Sequence, residues 1–150
     1  MLKAVKSLQL TVARTAIDDV AFTHWLLDNG ADVNLRSRLD EPALASAIAF
    51  GSMDVVRLLL ERGTDCAHGD LIHCAAQRAD EDEGAALIPV LARKGAGVNA
   101  WRYDNARAFR WRALFKTETP LHIACERGSA IIARALLACG ADPYQGMLEA

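Results

Sequence analysis

The stretch Thr119-Pro120-Leu121-His122-Ile123-Ala124, followed by Gly128 and by the phrase Leu136-Leu137-Ala138-Cys139-Gly140-Ala141-Asp142, decides the fold of this chain. Thr119 has the hydroxyl that caps a helix, and Pro120 suits the first helical turn, where a missing N–H costs nothing. A glycine just after an apolar run marks a helix end, because glycine readily adopts the left-handed conformation. The stretch therefore predicts two helices joined by a turn.

The closing phrase recurs along the chain. Earlier copies stand at 26–32, 59–65 and 91–97, and the glycines of the four copies are Gly30, Gly63, Gly95 and Gly140. The first three glycines follow one another at a nearly constant interval, and a period of about 33 residues indicates a repeat architecture. The last interval, from Gly95 to Gly140, is clearly longer than this period, which indicates an insertion.

A second helix-forming run lies upstream of each of these helix ends and is rich in small residues, as in Leu44-Ala45-Ser46-Ala47-Ile48-Ala49. Small residues let two antiparallel helices pack closely. Because a pair of short helices cannot bury its apolar faces alone, neighbouring pairs must stack. The sequence thus predicts an all-α solenoid.

These motifs resemble the ankyrin repeat, whose signature Thr-Pro-Leu-His-x-Ala stands at 119–124. The resemblance covers nearly all of residues 10–143. It implies an all-α ankyrin-repeat solenoid of about four stacked helix-turn-helix repeats, with β-turn fingers along one edge, one long finger insertion, and outer repeats that act as caps. In this family the signature histidine bonds the backbone of neighbouring turns. That role would fall to His122, and loss of the bond would lower the free energy of unfolding by roughly 1–3 kcal/mol.

The resemblance also implies the division of the chain. We expect a single domain, 1–150. Its repeats are expected at about 8–34, 35–66, 67–100 and 117–143, with the insertion at 101–116.

The second and third repeats depart from the signature. Pro42-Ala43-Leu44-Ala45 replaces Thr-Pro-Leu-His in the second repeat, and the third lacks the signature hydrogen bonds. The third also has four consecutive acids at 80–83, which we interpret as a solvated loop that can favour the following helix through its dipole. Pro89 falls inside its second helix. We therefore expect faster hydrogen exchange over residues 66–90 than over 119–138.

Composition places the chain among folded globular domains. Of its 150 residues 52% are hydrophobic and 24% charged, with a net charge of −2, so there is no general bias toward nucleic acid or acidic membranes. No run approaches the ~18 apolar residues of a membrane-spanning helix, and Arg14 interrupts any signal peptide. Cys74 and Cys125 lie in helical apolar runs, which favours reduced thiols and an intracellular location, cytoplasmic or nuclear.

Candidates for chemistry are few. Cys66, His68, His73 and Cys74 form a metal-like cluster, but adjacent helical residues such as His73 and Cys74 point about 100° apart. Zinc ligands usually come in pairs two to four residues apart, so we expect no metal and no cofactor. No serine or cysteine nucleophile has an evident base, and the glycines mark helix ends rather than a phosphate loop. We predict that the chain is not an enzyme.

The insertion 101–116 is the strongest candidate for partner contact. It holds five of the nine aromatic residues, and five basic residues against Asp104 alone. Arginine with tryptophan and tyrosine is the composition enriched at binding hot spots. Its aromatic residues could equally fold back over the stack, with the arginines turned outward; the two roles are compatible.

We predict a protein–protein interaction module that binds an acidic or mixed partner protein through its finger loops and concave helix face. Nucleic-acid contact through the insertion is a less favoured alternative, because the chain lacks a broad basic face; a scaffold role within a larger protein is another. We expect a monomer or weak oligomer and no membrane partner. The predicted partner-binding residues are Arg36, Arg38, Asp40, Phe50, His68, Trp101, Arg102, Tyr103, Arg107, Phe109, Arg110, Trp111, Arg112, Glu126 and Arg127.

Overall fold

A computed structural model describes residues 18–36, 41–104 and 117–145, which form seven helices. These are α1 (Val20–Asp28), α2 (Ala43–Phe50), α3 (Met53–Glu61), α4 (Leu71–Gln77), α5 (Glu81–Arg93), α6 (Pro120–Arg127) and α7 (Ala130–Ala138). Within the described ranges the β structure is a single antiparallel bridge between Arg36 and Pro42. The predicted all-α repeat fold is confirmed, and the repeat boundaries stay predictions.

Most of the described helices start at a capping side chain. Asp19, Ser52 and Ser129 each accept a hydrogen bond from the amide three residues further on. Thr119 Oγ1 likewise accepts from the His122 amide at 3.4 Å. Such a cap satisfies one of the otherwise unpaired N–H groups at a helix start and contributes ~1 kcal/mol. The capping role predicted for Thr119 is therefore present.

The acidic run 80–83 belongs to a helix, so its interpretation as a loop is wrong. Asp80 is the N-cap of α5, with its Oδ1 3.0 Å from the Glu83 amide, and the other acids form the first turn. Carboxylates are favourable there because a helix N-terminus has partial positive charge. Helix α5 has 13 residues where α1, α3 and α7 have 9 each. The run therefore adds about one helical turn.

The helices stack in two rows. The first-helix row is α2, α4 and α6; in the second-helix row α1 packs on α3, and α5 packs on α7. The largest fully buried aliphatic side chains between the rows are Leu44, Ile48, Leu71, Ile72, Ile88, Leu91, Ile123, Ile132 and Leu136. A Cβ added to Gly84 in α5 would lie 2.5 Å from the Ala75 carbonyl oxygen in α4. Close helix approach through small residues, as predicted, is thus required at this point.

Two arginines join consecutive first helices at the edge where each repeat turns from its first to its second helix, here called the turn edge. Buried Arg78 follows α4 and donates to the Ile48 and Gly51 carbonyl oxygens, at 2.6 and 2.8 Å, at the end of α2. Arg127 ends α6 and donates to the carbonyl oxygens of Ala76 and Arg78, at 2.6 and 3.0 Å. Since the last carbonyls of a helix lack intrahelical partners, each arginine caps the preceding first helix.

Two asparagines make corresponding links at the opposite edge, the finger edge. Asn34 Oδ1 accepts from the Asp65 amide at 2.7 Å, and Asn99 Oδ1 accepts from the Asp142 amide at 2.8 Å. The Asn99 amide group also donates to the Gly140 carbonyl oxygen at 3.0 Å. Gly140 has a φ of 88°, a left-handed value that strains other residues. The third and fourth repeats are therefore tied together at both edges.

Candidate partner-binding surface

Two of the predicted contact residues line one surface pocket at the finger edge. Arg36 and His68 form its walls together with Asn34, Pro42 and Asp65. Its volume of about 110 Å³ is well below the ~300–1,000 Å³ of small-molecule sites. The pocket therefore has room only for a group about the size of one side chain.

The charges around this pocket are paired. Asp65 accepts from the Ala67 amide at 2.9 Å, and its Oδ2 lies 2.8 Å from His68 Nδ1. The amide bond first, and then the His68 bond, lower the pKa of Asp65, with a smaller effect from Arg36. The ionised carboxylate between an imidazole and a guanidinium gives the pocket a polar, mixed-charge lining.

The first residues of the insertion are bound into the stack. The Arg102 amide donates to the Glu118 carbonyl oxygen at 2.9 Å and closes a neck formed by these two residues. The Tyr103 amide donates to Asp70 Oδ2 at 3.2 Å, and the Arg102 guanidinium carbon lies 5.0 Å from the centre of the Tyr103 ring. Trp101, Arg102 and Tyr103 are each half-buried. This end of the predicted contact loop is part of the fold.

A buried histidine supports the neck from α4. His73 is 1% exposed, and its Nε2 donates to the same Glu118 carbonyl oxygen at 3.1 Å. A carbonyl oxygen only accepts, so Nε2 carries the proton. Burial outweighs the opposing charge of Asp70, whose Oδ1 is 3.8 Å from Nδ1, and lowers the pKa of His73. The prediction that the third repeat lacks a cross-repeat histidine bond is therefore wrong.

His122, the signature histidine, bonds within its own repeat. Its Nδ1 lies 2.7 Å from Thr119 Oγ1 and accepts from the Thr119 amide at 3.4 Å. The exposed ring packs at a 30° tilt against Trp101, with 5.8 Å between ring centres. Among the described residues its side-chain hydrogen bonds go to Thr119, so the expected bridge to neighbouring turns is made by His73 instead.

The extra turn of α5 hid this role of His73 in the sequence. The interval from His73 to Gly95 is four residues longer than the interval from His122 to Gly140. That shift equals the difference in length between α5 and α7, with 13 and 9 residues. Counting from the start of the first helix, rather than back from the glycine, would have aligned the two histidines.

Three other predicted contact residues lie at the turn edge. Phe50 ends α2 and is 75% exposed, and Glu126 in α6 is exposed. Arg127 is engaged with the end of α4, and its Nη2 lies 3.8 Å from Glu81 Oε1. The structure thus places these residues at the opposite ends of the first helices from the finger pocket, and Nη1 of Arg127 is bound to the end of the preceding first helix.

Several predictions concern residues outside the described ranges. These contact residues are Arg38, Asp40, Arg107, Phe109, Arg110, Trp111 and Arg112. The first helix expected for the repeat at 8–34 also falls largely outside them. These assignments stay predictions.

The metal-like cluster of the sequence is divided between different partners. His68 pairs with Asp65, and His73 with the neck. Burial raises the pKa of Cys74 to about 12, away from the thiolate form that binds metals. Over the described ranges, no group of three or more His, Cys, Asp or Glu side chains is arranged to hold a metal ion, and the four cysteines are free thiols. The expectation that no metal is bound stays a prediction.

Comparison with protein families accords with the stacked helix pairs. Two family models match, ankyrin repeats (many copies) over residues 18–60 and the ankyrin repeat over residues 117–146. The chain is an ankyrin-repeat protein. Ankyrin repeats generally mediate protein–protein interaction, and domains built from them are typically binding modules without enzymatic activity. None of the described helices of this ankyrin-repeat protein is long and apolar enough to cross a membrane.

This ankyrin-repeat protein is similar to parts of three longer proteins. It is 36% identical over 120 residues to the mitochondrial disaggregase of Bos taurus, across 80% of this chain and 16% of that protein. It is 30% identical over 105 residues to the ankyrin repeat and KH domain-containing protein mask-1 of Caenorhabditis elegans, across 70% and 4%. It is 32% identical over 118 residues to the B-cell lymphoma 3 protein homolog of Mus musculus, across 74% and 22%. The chain thus spans less than a quarter of each relative.

Proposed function

We propose that this ankyrin-repeat protein binds another protein at its finger edge, with the insertion 101–116 as the main recognition element and the pocket of Arg36 and His68 as a second contact. The closed neck carries the proposal. The Glu118 carbonyl oxygen accepts from both the Arg102 amide and His73 Nε2, so the insertion starts and ends on a buried, hydrogen-bonded base. A recognition loop gains affinity when less of its freedom must be lost on binding.

The partner segment is acidic. Residues 105–116 include four basic residues and no acid, and guanidinium groups bind carboxylates with two parallel hydrogen bonds. The chain's own acidic run lies at the turn edge, beyond the far end of α4 from the neck. There Asp80 caps α5, and Glu83 pairs with Arg78 at 2.7 Å. These acids are engaged in the fold, which leaves the insertion's positive charge available to a partner.

A displayed random-peptide library tests this proposal. Wild-type protein should enrich peptides rich in Asp and Glu. In the insertion variant, Arg107, Arg110 and Arg112 become Ala, and the affinity for an enriched peptide should fall at least tenfold, ~1.4 kcal/mol. The salt dependence of binding should also flatten, because steering by charge is screened within ~8–10 Å at physiological ionic strength.

A matched control removes the same charge elsewhere. Arg57, Arg93 and Arg134 are exposed residues of α3, α5 and α7 in the second-helix row, and their combined change to Ala should leave peptide binding within about twofold of wild type because they lie off the finger loops. Equal binding by the insertion variant and wild type, both folded by thermal melting, would refute the role of the insertion. Tighter binding to a single-stranded oligonucleotide than to any enriched peptide, with a steep salt dependence, would favour nucleic-acid contact instead.

A further inference from the structure

The two end helices of the described stack expose large apolar side chains. On α1, the rings of Phe22 and Trp25 are nearly parallel, with centres 6.2 Å apart, and 38% and 51% of these residues are exposed. On α7, Ile131 and Leu137 are 38% and 48% exposed. The terminal repeats of a solenoid ordinarily present a polar outer face. The end faces of this stack therefore have the character of an interface.

Phe22 lies on the side of α1 away from α3, and Trp25 is stacked against it. The opposite side is marked by His24 and Asp28, which lie 3.0 and 2.8 Å from the guanidinium of Arg62, the residue that follows α3. Phe22 precedes His24 by two residues, so their side chains leave the helix roughly 160° apart. With Trp25 beside it, Phe22 faces out of the first end of the second-helix row.

Helix α7 has an outer side of complementary composition. Ile132 faces α5, because its Cδ1 would lie 3.1 Å from a Cβ on Gly84. Arg134 is two residues further on, so it points roughly 160° away from Ile132, and it is exposed. Ile131 and Leu137 each lie three residues from Arg134 and are its neighbours on the helix surface. The outer side of α7 is thus a guanidinium between two aliphatic side chains.

We propose that the outer side of α7 docks on the outer side of α1 of a second copy of this chain, so that copies associate head to tail. A guanidinium over an aromatic ring is a favourable pair, and Ile131 and Leu137 can cover the remaining ring surface. Asp18 and Asp19 at the start of α1 supply negative charge for Arg134. The contact continues an interface present within one molecule, where α1 packs on α3 and α5 packs on α7.

This contact joins two different surfaces, so one copy retains an unused α1 side and another an unused α7 side. Such heterologous association is open-ended and grows with protein concentration. One helix face from each copy is a small interface, which is typical of weak, transient contacts. Because α1 and α7 are not part of the proposed finger-edge site, the two proposals can fail separately.

Sedimentation velocity of the full chain tests the proposal. From low micromolar to several hundred micromolar protein, the average mass of wild type should rise. Variant N changes Phe22 and Trp25 to Ser, and variant C changes Ile131 and Leu137 to Glu; each should bind itself at least tenfold more weakly than wild type binds itself. An equal mixture should form a heterodimer, because variant N retains the α7 side and variant C retains the α1 side.

The control Phe50→Ser removes an even more exposed apolar residue at the turn edge and should associate as wild type. Arg134→Glu leaves the apolar residues of α7 in place and should also weaken association at least tenfold. It therefore tests the α7 side even if variant C does not fold. A wild type that is monomeric at every concentration overturns the proposal. Undiminished association of variant C or of Arg134→Glu also overturns it, since α1 would then pair with some other surface. Loss of association in Phe50→Ser overturns it as well.

Discussion

His73 and His122 occupy the same position in consecutive repeats but make different contacts. His73 is buried and bonds the carbonyl oxygen of Glu118 in the following repeat, whereas His122 is exposed and bonds Thr119 in its own. The difference follows from what comes next along the stack. The fourth repeat presents its Glu118 carbonyl oxygen to His73, whereas among the described residues no corresponding carbonyl faces His122. The family signature thus reports a helix start, and the next repeat determines whether its histidine also joins two repeats.

The turn-edge arginines give the largest expected contrast between the same two repeats. Arg78→Ala should lower the free energy of unfolding by about 3–4 kcal/mol, because it leaves buried carbonyls of α2 and the Glu83 carboxylate without their cationic partner. Arg127→Ala should cost about 1–2 kcal/mol, since its side chain is more exposed than that of Arg78 and water can replace it. Urea denaturation of both variants measures the difference. Equal losses would contradict a burial-based ranking.

The histidines themselves come next. His73→Ala should lower the free energy of unfolding by about 2–3 kcal/mol, because it leaves a void and removes the buried Nε2 donor from the Glu118 carbonyl oxygen. His122→Ala should cost less than about 1 kcal/mol, the usual size of an exposed cap interaction. This ranking is the reverse of the one expected from the signature, in which His122 makes the larger contribution to stability. Thermal or urea unfolding that ranks His122→Ala as the more damaging change would restore the sequence-based view.

Acidification sharpens the comparison further. The folded-state pKa of His73 lies below 6.5 because of burial, so below that pH the unfolded chain takes up a proton that the folded chain excludes. Stability should therefore fall as pH decreases, by at most ~1.4 kcal/mol per pH unit from this group. His73→Gln should show a shallower fall between pH 6.5 and about pH 5. Parallel plots of unfolding free energy against pH for wild type and His73→Gln would show that His73 is not the source of the pH dependence.

Hydrogen exchange gives the smallest expected contrast. The sequence predicts faster exchange over residues 66–90, but the structure removes two of the grounds for this prediction. The third repeat has a cross-repeat histidine bond, and the acids belong to α5. The third reason, Pro89 inside α5, stands. Because α4 packs between α2 and α6, we expect its amides to exchange no faster than those of α6. Exchange in α4 several-fold faster than in α6 would support the original ranking.

Local features were predictable from the sequence, and contacts between repeats were not. The phrase glycines and Thr119 specify helix ends and starts through their own backbone and side-chain chemistry, so the stacked helix pairs could be inferred. Arg78 and Glu118 resemble ordinary surface residues in the sequence. Their roles depend on which carbonyl or donor lies opposite once the repeats have stacked. The extra turn of α5 also shifted the spacing by which His73 could have been recognised.

The double acceptance by the Glu118 carbonyl has a consequence for how this protein can change. The whole segment 103–117 stands between Arg102 and Glu118, yet the backbone returns to within 2.9 Å of its point of departure. Closing a loop of twice that length would cost only ~0.6 kcal/mol more. The junction is therefore a natural site for grafting: a foreign binding peptide could replace residues 105–116 while the helices on either side keep their register. Under the proposed function, specificity would reside in this exchangeable segment and stability in the helices that flank it.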